Sequence, residues 1–79
     1  MTLLDVKGLK CPLPVLRAKR ALNGVAPGEV LEVEATDPAA LKDFPAFCDM
    51  TGHELVETRT EGATGSQVFR FLIRRKAEA

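Results

Sequence analysis

Two segments of the chain alternate apolar and polar side chains, which is the pattern of a β-strand with one face against a core and the other in water. The first covers residues 30–36 and the second residues 68–74. Their apolar positions are Leu31, Val33, Ala35, Phe69, Phe71 and Ile73. Shorter apolar-rich runs at residues 2–6 and 53–60 have the composition of two more strands. The pattern therefore predicts four strands, two of them with a clear core-facing side.

Residues 12–23 carry their apolar side chains at helical rather than alternating spacing. The apolar arc consists of Pro14, Val15, Ala18, Ala21 and Leu22. Pro12 falls in the first turn, where backbone N–H groups have no helical partner, so a proline is tolerated there. Asn23-Gly24 is a typical helix end. The segment predicts an amphipathic helix that begins directly after Cys11, with this cysteine at or near its N-cap.

A second helix is predicted between the second and third strands, with its start displaced by a proline. Asp37-Pro38 pairs an N-cap residue with a proline at the first helical position, but Pro45 would break a helix that continued from there. We therefore expect a short turn at residues 39–42, followed by a helix capped by Asp43. Its core-facing residues are Phe44, Phe47, Cys48 and Thr51.

The predicted element order is βαβαββ. The first two strands must run parallel, joined by a right-handed crossover, whereas the last two can form a hairpin. Because the strands keep one polar face, both helices should cover the other face. The prediction is an α/β fold of the two-layer α+β sandwich type, a four-stranded mixed sheet with two helices packed on one face. At 79 residues the chain has room for a single domain, residues 1–79.

Charge and composition exclude several classes of function. Lys plus Arg and Asp plus Glu each number 11, so there is no bulk positive field to attract nucleic acid or an anionic membrane. No apolar run reaches the roughly 18 residues of a spanning helix, and no signal-peptide pattern precedes the first strand, so a cytoplasmic location is expected. With two cysteines and one histidine, the chain lacks the four ligands of a structural zinc site, and no metal is expected.

Cys11 is the candidate for chemistry, because it falls between the carboxyl end of a strand and the amino end of a helix. Gly8 before it, and Pro12 and Pro14 after it, would support the site by fixing the direction in which the sulfur leaves the backbone. The alternative is that Cys11 is only a small apolar residue near a helix start, since free cysteines are often simply buried.

The reactions open to Cys11 depend on its neighbours. The helix terminus and the positive charges of Lys7, Lys10 and Arg17 would favour the thiolate, so a lowered thiol pKa is expected. No second cysteine is close enough in sequence to resolve a disulfide, and no adjacent histidine could act as a base. Dithiol oxidation and acyl transfer therefore both lack a partner. What remains is a group carried on the sulfur.

The residues around Cys11 resemble the signature of a known family. Cys11-Pro12-Leu13-Pro14 is similar to the Cys-Pro-x-Pro motif of the TusA/SirA-like sulfur-carrier proteins, and the likeness covers nearly the whole chain. Matching segments further along are Gly28-Glu29, Asp37-Pro38, Phe47-Cys48 and Gly52-His53-Glu54-Leu55. Thr36 departs from the pattern, since many relatives have an acidic residue there, and this leaves the subfamily open.

The resemblance implies that Cys11 accepts a sulfane sulfur as a persulfide and relays it. The implied donor is a protein of the cysteine desulfurase or rhodanese type, and the implied acceptor is a protein of the DsrE type. No cofactor is implied beyond the covalent persulfide sulfur. Members of the family serve tRNA thiolation, molybdenum-cofactor supply or sulfur oxidation.

A docking surface is expected on the first helix. Leu13 and Leu16 fall on its charged arc beside Arg17 and Arg20, so they should be partly exposed. Apolar anchors accompanied by arginine are enriched at protein interfaces, which makes this patch the candidate contact for a partner. The alternative is that Leu16 completes the edge of the core and that the arginines are simply solvated.

Other polar candidates have simpler explanations. Cys48 lies on the predicted core stripe and is expected to be a buried structural thiol. His53 is expected to cap or hydrogen-bond at a helix-to-strand junction, and Asp37 to cap a helix. Residues 74–76 form a short basic segment that we expect to be solvated.

Two other functions compete with sulfur transfer. A monothiol glutaredoxin-like redox protein would need a helix after the last strand and a proline before the third, where this chain has Gly52-His53. A non-catalytic interaction module, for RNA in particular, would use the open face of the sheet. The balanced charge and the absence of Tyr and Trp make direct nucleic-acid binding unfavourable.

Overall fold

The structure, a computed structural model, describes residues 1–77 and has the predicted order of strands and helices. The elements are β1 (Thr2–Asp5), α1 (Leu13–Leu22), β2 (Val30–Ala35), α2 (Ala40–Thr51), β3 (Glu54–Glu61) and β4 (Val68–Arg74). The predicted fold class is confirmed. Within the described residues, no helix is long and apolar enough to cross a bilayer.

The four strands form one mixed sheet in the order β1-β2-β4-β3. β1 runs parallel to β2, and β4 lies antiparallel to both β2 and β3. β4, which follows the other three described strands, therefore lies in the interior of the sheet between β2 and β3. The register places Val33 opposite Phe71, and both side chains are fully buried. Since side chains alternate along a strand, this pairing aligns the apolar sides of β2 and β4 toward the helices.

The hydrophobic core lies between the sheet and the two helices. Phe44 of α2 stacks on Phe71 of β4 with ring centroids 4.5 Å apart. The remaining buried apolar residues are Val6, Ala18, Leu22, Val25, Leu31, Val33, Ala35, Ala40, Phe47, Cys48, Phe69 and Ile73. Burial of this set holds α1 against β2, α2 against β3 and β4, and the two helices against each other.

The second helix begins earlier than the sequence predicts. α2 starts at Ala40 and runs through Pro45 without interruption, so the expected turn at residues 39–42 is wrong. Pro45 removes one helical hydrogen bond, to the carbonyl of Leu41. Both of these residues are exposed, so that carbonyl can bond to water instead. Burial of Ala40 and Phe44 on the opposite face offsets the loss.

The other face of the sheet is covered by ion pairs rather than by helices. Arg70 lies at its centre, with Nη1 2.6 Å from a carboxylate oxygen of Glu32 and 2.9 Å from one of Glu34. Its Nη2 lies 2.8 Å from Glu61 of the neighbouring strand. Arg74 pairs with Glu54 at 2.9 Å. This polar face explains why the alternation along β2 and β4 is so regular in the sequence.

Arg75, directly after β4, is half-buried and bonded to the protein rather than simply solvated, whereas Arg74 and Lys76 are exposed as the sequence predicts for residues 74–76. The Arg75 guanidinium donates from Nη1 to three backbone carbonyls at the end of α1: those of Leu22 (3.0 Å), Asn23 (3.2 Å) and Val25 (2.6 Å). These carbonyls lie where a helix leaves its acceptors without partners, so a cation is stabilised there. Arg75 thus fixes the end of α1 to the end of β4.

Lys76 makes the equivalent contact with the second helix. Its Nζ donates to the carbonyl of Thr51 at 2.8 Å, at the end of α2. Its backbone N–H donates to Nδ1 of His53 at 3.0 Å. His53 therefore acts as a hydrogen-bonding residue at the helix-to-strand junction, as the sequence indicated.

Candidate functional site

Cys11 lies on an exposed loop between β1 and α1. The loop turns at Gly8, whose φ of 84° is in the left-handed region that favours glycine. The Cys11–Pro12 peptide bond is cis, and α1 begins at Leu13, with Pro12 at its N-cap. Pro14 is buried in the first turn. The predicted supporting residues thus surround Cys11 on both sides in the chain.

The loop after β2 holds the Cys11 loop by two hydrogen bonds. The Gly8 N–H donates to Oγ1 of Thr36 at 2.9 Å, and the Cys11 N–H donates to Oδ2 of Asp37 at 2.7 Å. Oδ1 of Asp37 accepts from the Ala39 N–H at 3.1 Å, so one carboxylate bonds to the backbone of both loops. Acceptance of the Cys11 N–H is the main reason why the pKa of Asp37 is lowered. The sequence predicts Asp37 as a helix cap, but the N-cap of α2 is Ala39; the Asp37 carboxylate instead bonds within the turn before α2 and fixes Cys11.

The electrostatic environment of the thiol is opposite to the one predicted. The pKa of Cys11 is raised, first by a hydrogen bond to the Asp43 carboxylate, then by desolvation and by the negative charges of Asp43 and Asp37. Of the cations expected to favour the thiolate, Lys7 pairs instead with Asp5 at 3.1 Å and with Glu34 at 3.4 Å. The expectation of a lowered thiol pKa is therefore wrong, because the charged groups that act on this thiol are carboxylates.

Asp43 could not be assigned to the site from the sequence. The sequence predicts Asp43 as the N-cap of the second helix, where its carboxylate would accept a hydrogen bond from the helix backbone. The helix begins at Ala40 instead, which places Asp43 in the first turn with its backbone N–H already bonded to the carbonyl of Ala39 at 2.9 Å. The Asp43 side chain is thus available to the thiol of Cys11, 32 positions earlier in the chain.

A shallow groove between the two helices opens beside the sulfur. This α1–α2 groove encloses about 390 Å³. Its lining residues are Cys11, Pro12, Val15, Leu16, Lys19, Asp43, Ala46, Phe47, Met50 and Thr51. The lining is mainly apolar, and Met50 is 87% exposed. A large exposed apolar side chain beside a candidate nucleophile is typical of a surface that a protein partner covers.

The predicted docking residues are exposed. Leu13 and Leu16 are 42% and 52% exposed, and Leu16 lines the α1–α2 groove. Arg17 and Arg20 line a separate depression, together with Leu4 of β1. Leu16 thus shares the groove with Cys11, while Arg17 and Arg20 line a second depression on the same helix. Met50 could not be assigned to this surface from the sequence, since a lone methionine near the end of a helix belongs to no hydrophobic pattern.

The second cysteine lies in the core. Cys48 is 5% exposed, and burial raises the pKa of its thiol to about 11. Neither cysteine is in a disulfide. Among residues 1–77, no three His, Cys, Asp or Glu side chains are grouped so that they could hold a metal ion.

Proteins similar to this chain in sequence are sulfur carriers. The family model described as Sulfurtransferase TusA matches residues 2–75. The sulfur carrier protein TusA of Allochromatium vinosum is 53% identical over 72 residues, which are 91% of this chain and 90% of that protein. The sulfur carrier protein TusA of Pseudomonas aeruginosa is 43% identical over 76 residues, which are 96% of this chain and 91% of that protein.

A solved structure shares the fold. The crystal structure of a SirA-like protein from Desulfitobacterium hafniense matches with a TM-score of 0.70 and covers 96% of this chain and 100% of that chain. Its sequence is 19% identical, so the likeness concerns the arrangement of strands and helices.

Proposed function

The chain belongs to the TusA family of sulfurtransferases, and on that basis we propose that Cys11 carries a sulfane sulfur as a persulfide between a donor protein and an acceptor protein. The observation that supports Cys11 most directly is its exposure at the edge of the α1–α2 groove, whereas Cys48 is buried. A carrier needs a sulfur that two different proteins can reach in turn. An exposed loop held by Asp37 and Thr36 meets that need without a deep pocket.

The transfer needs no oxidant and no cofactor other than the persulfide sulfur. The Cys11 thiol first loses its proton to solvent, and the thiolate attacks the outer sulfur of the donor persulfide. A new bond forms at Sγ as the donor's S–S bond breaks, and the donor leaves as a thiolate that takes up a proton. The net change is R–S–SH plus Cys11–SH giving R–SH plus Cys11–S–SH. An acceptor thiolate discharges Cys11 by the same steps.

The proposed partners are proteins with a reactive cysteine of their own. The donor is of the cysteine desulfurase or rhodanese type and the acceptor of the DsrE type, and the route served is tRNA thiolation, molybdenum-cofactor supply or sulfur oxidation. Such exchange requires reduced thiols, which agrees with a cytoplasmic location.

Partner contact is proposed at Leu13 and Leu16. Leu16 lines the groove beside Cys11, and Leu13 is exposed one turn of helix away. Arg17 and Arg20, on the neighbouring side of α1, are proposed to contribute mainly to the rate of encounter with an acidic partner surface. Substitution of a central apolar contact weakens an interface far more than substitution at its rim.

The test is intact-mass analysis after incubation with a cysteine desulfurase and cysteine. Wild type and Cys48→Ser should gain one sulfur, roughly 32 Da, which a reductant removes, and Cys11→Ser should gain none. Leu16→Ala should load more slowly than wild type. The control is Leu41→Ala, since Leu41 is 42% exposed on α2 and does not line the groove. Loading that persists in Cys11→Ser would assign the carrier role to Cys48 instead.

A further inference from the structure

The two edges of the sheet differ in how well they are protected from pairing with another strand. The order β1-β2-β4-β3 makes β1 and β3 the edges. β3 has an irregular register between Leu55 and Glu57, and most of its side chains are polar. Bulges and charges of this kind discourage the approach of a further strand. β1 pairs in regular register and has two adjacent leucines, Leu3 and Leu4, so it is the less protected edge.

The main-chain groups that β1 turns outward can be identified from its bonding to β2. The N–H of Val6 donates to the carbonyl of Glu34 at 2.9 Å, so the main chain of Val6 faces β2. The N–H and C=O groups of successive strand residues point to opposite sides. Those of Leu3 and Asp5 therefore point away from β2, on the side where β1 is the edge of the sheet. An added strand can bond to these groups.

The side chains of β1 differ between the two faces of the sheet. Leu4 is in register with Val33, whose side chain is fully buried, so Leu4 lies on the side that the helices cover. Leu3 is in register with Glu32 on the opposite, ion-paired face, and it is 58% exposed. A strand added to this edge can cover Leu3 with an apolar side chain of its own.

On the helix side, the edge formed by β1 adjoins two arginines of α1. Arg17 and Arg20 line a depression of about 490 Å³ together with Leu4 and Ala21. Both arginines are exposed, and among residues 1–77 no carboxylate forms an ion pair with either of them. Guanidinium groups bind carboxylates well because two N–H groups can bond to two oxygens. The depression therefore favours acidic side chains at the helix-side positions of an added strand.

We propose that the edge formed by β1 is a partner-binding site, at which an extended segment of an acidic partner protein adds to the sheet as a further strand. The side chains of this segment alternate. Apolar residues cover Leu3 on the open face, and acidic residues pair with Arg17 and Arg20 on the helix side. The inference goes beyond sulfur transfer at Cys11, since this depression and the α1–α2 groove have no lining residue in common.

A second copy of this chain is a poorer occupant of the same edge. Two β1 strands paired antiparallel about a two-fold axis would continue one sheet, with the helices of both copies on the same side. Arg17 and Arg20 of the two copies would then face each other across the seam, and like charges at close distance repel. Charge complementarity therefore selects an acidic partner over self-association.

The test uses a synthetic peptide with the required alternation, acetyl-Thr-Val-Glu-Val-Glu-Val-Thr-amide. It is titrated to millimolar concentration into isotope-labelled protein at low salt and followed by NMR. Hydrogen exchange at the Leu3 and Asp5 amides should slow when the peptide binds, because both N–H groups become bonded. A control peptide with lysine in place of both glutamates should bind roughly tenfold or more weakly.

Substitutions in the protein separate the contribution of charge from that of the main chain. Arg17→Glu should weaken peptide binding roughly fivefold or more. Lys42→Glu is the matched control, the same change of charge at an exposed position of α2 outside the depression, and should bind as wild type. Leu3→Pro removes an outward N–H but no bond to β2, so it should keep the native circular dichroism spectrum and lose peptide binding.

Several results would overturn the inference. They are equal binding of the lysine and glutamate peptides, an equal loss of binding in Arg17→Glu and Lys42→Glu, and no binding at millimolar concentration. Chemical-shift changes confined to the α1–α2 groove would place the peptide elsewhere and overturn it too. So would sedimentation of the free protein as a dimer that Leu3→Pro dissociates, because a second copy would then occupy the edge. Since the peptide has no cysteine, none of these results bears on sulfur loading at Cys11, which the mass analysis tests separately.

Discussion

The two cysteines occupy opposite kinds of environment, although the pKa of each thiol is raised. At Cys11 the main cause is a hydrogen bond to a carboxylate, on a loop open to solvent. At Cys48 the cause is burial among apolar side chains. A partner can remove the first cause by displacing or neutralising Asp43, whereas only unfolding removes the second. The two thiols therefore differ in the cause of the shift and in access, since only Cys11 is open to a partner in the folded protein.

The largest expected difference between the two cysteines is in alkylation rate. With iodoacetamide at pH 8, Cys11 of the folded protein should react roughly 100-fold or more faster than Cys48, because Cys48 must wait for local or global opening. In guanidinium chloride the two rates should converge. Peptide mass mapping over time measures both. Similar rates in the folded protein would mean that α2 opens far more readily than its packing indicates.

A second contrast concerns stability. Cys48→Ser puts a hydroxyl into an apolar site and should lower the free energy of unfolding by about 1–3 kcal/mol. Cys11→Ser, on the exposed loop, should change it little. Urea unfolding followed by circular dichroism gives both values. If Cys11→Ser proved the more destabilising, the loop would be contributing packing that its exposure does not show.

The smallest expected effect tests the support of the Cys11 loop. Because the pKa of Asp37 is lowered in the folded state, its interactions stabilise the protein fully above the unfolded-state pKa, and this contribution is lost as the pH falls through the folded-state value. The urea midpoint of Asp37→Asn should therefore lie below that of wild type at pH 7, and the gap should close toward pH 2. If the difference between the two urea midpoints did not change with pH, the effect of the substitution would not come from the charge of Asp37.

Most of the fold could be predicted from the sequence because its patterns are local. The alternation along β2 and β4 and the apolar arc of α1 each arise from neighbouring residues and predict their elements closely. The start of α2 was predicted wrongly, because the rule against proline within a helix does not include the burial of Ala40 and Phe44 that offsets it. Tertiary packing decided that boundary.

The electrostatics of the site could not be predicted in the same way. Cys11 was identified from its position and motif, but the groups that act on its sulfur come from α2 and the turn before it. Their approach depends on how two helices lie over one sheet. Arg75 is a similar case, since a basic residue after a strand gives no sign that the end of α1 lies within hydrogen-bonding distance.

The position of β4 has a consequence for synthesis on the ribosome. β4 emerges after β2 and β3, yet it lies between them, and Arg75 and Lys76 bond to the ends of both helices. A nascent chain that has not yet extended past these residues lacks the strand that joins its sheet together. We therefore expect the Cys11 loop to reach its final form only after translation has passed Lys76.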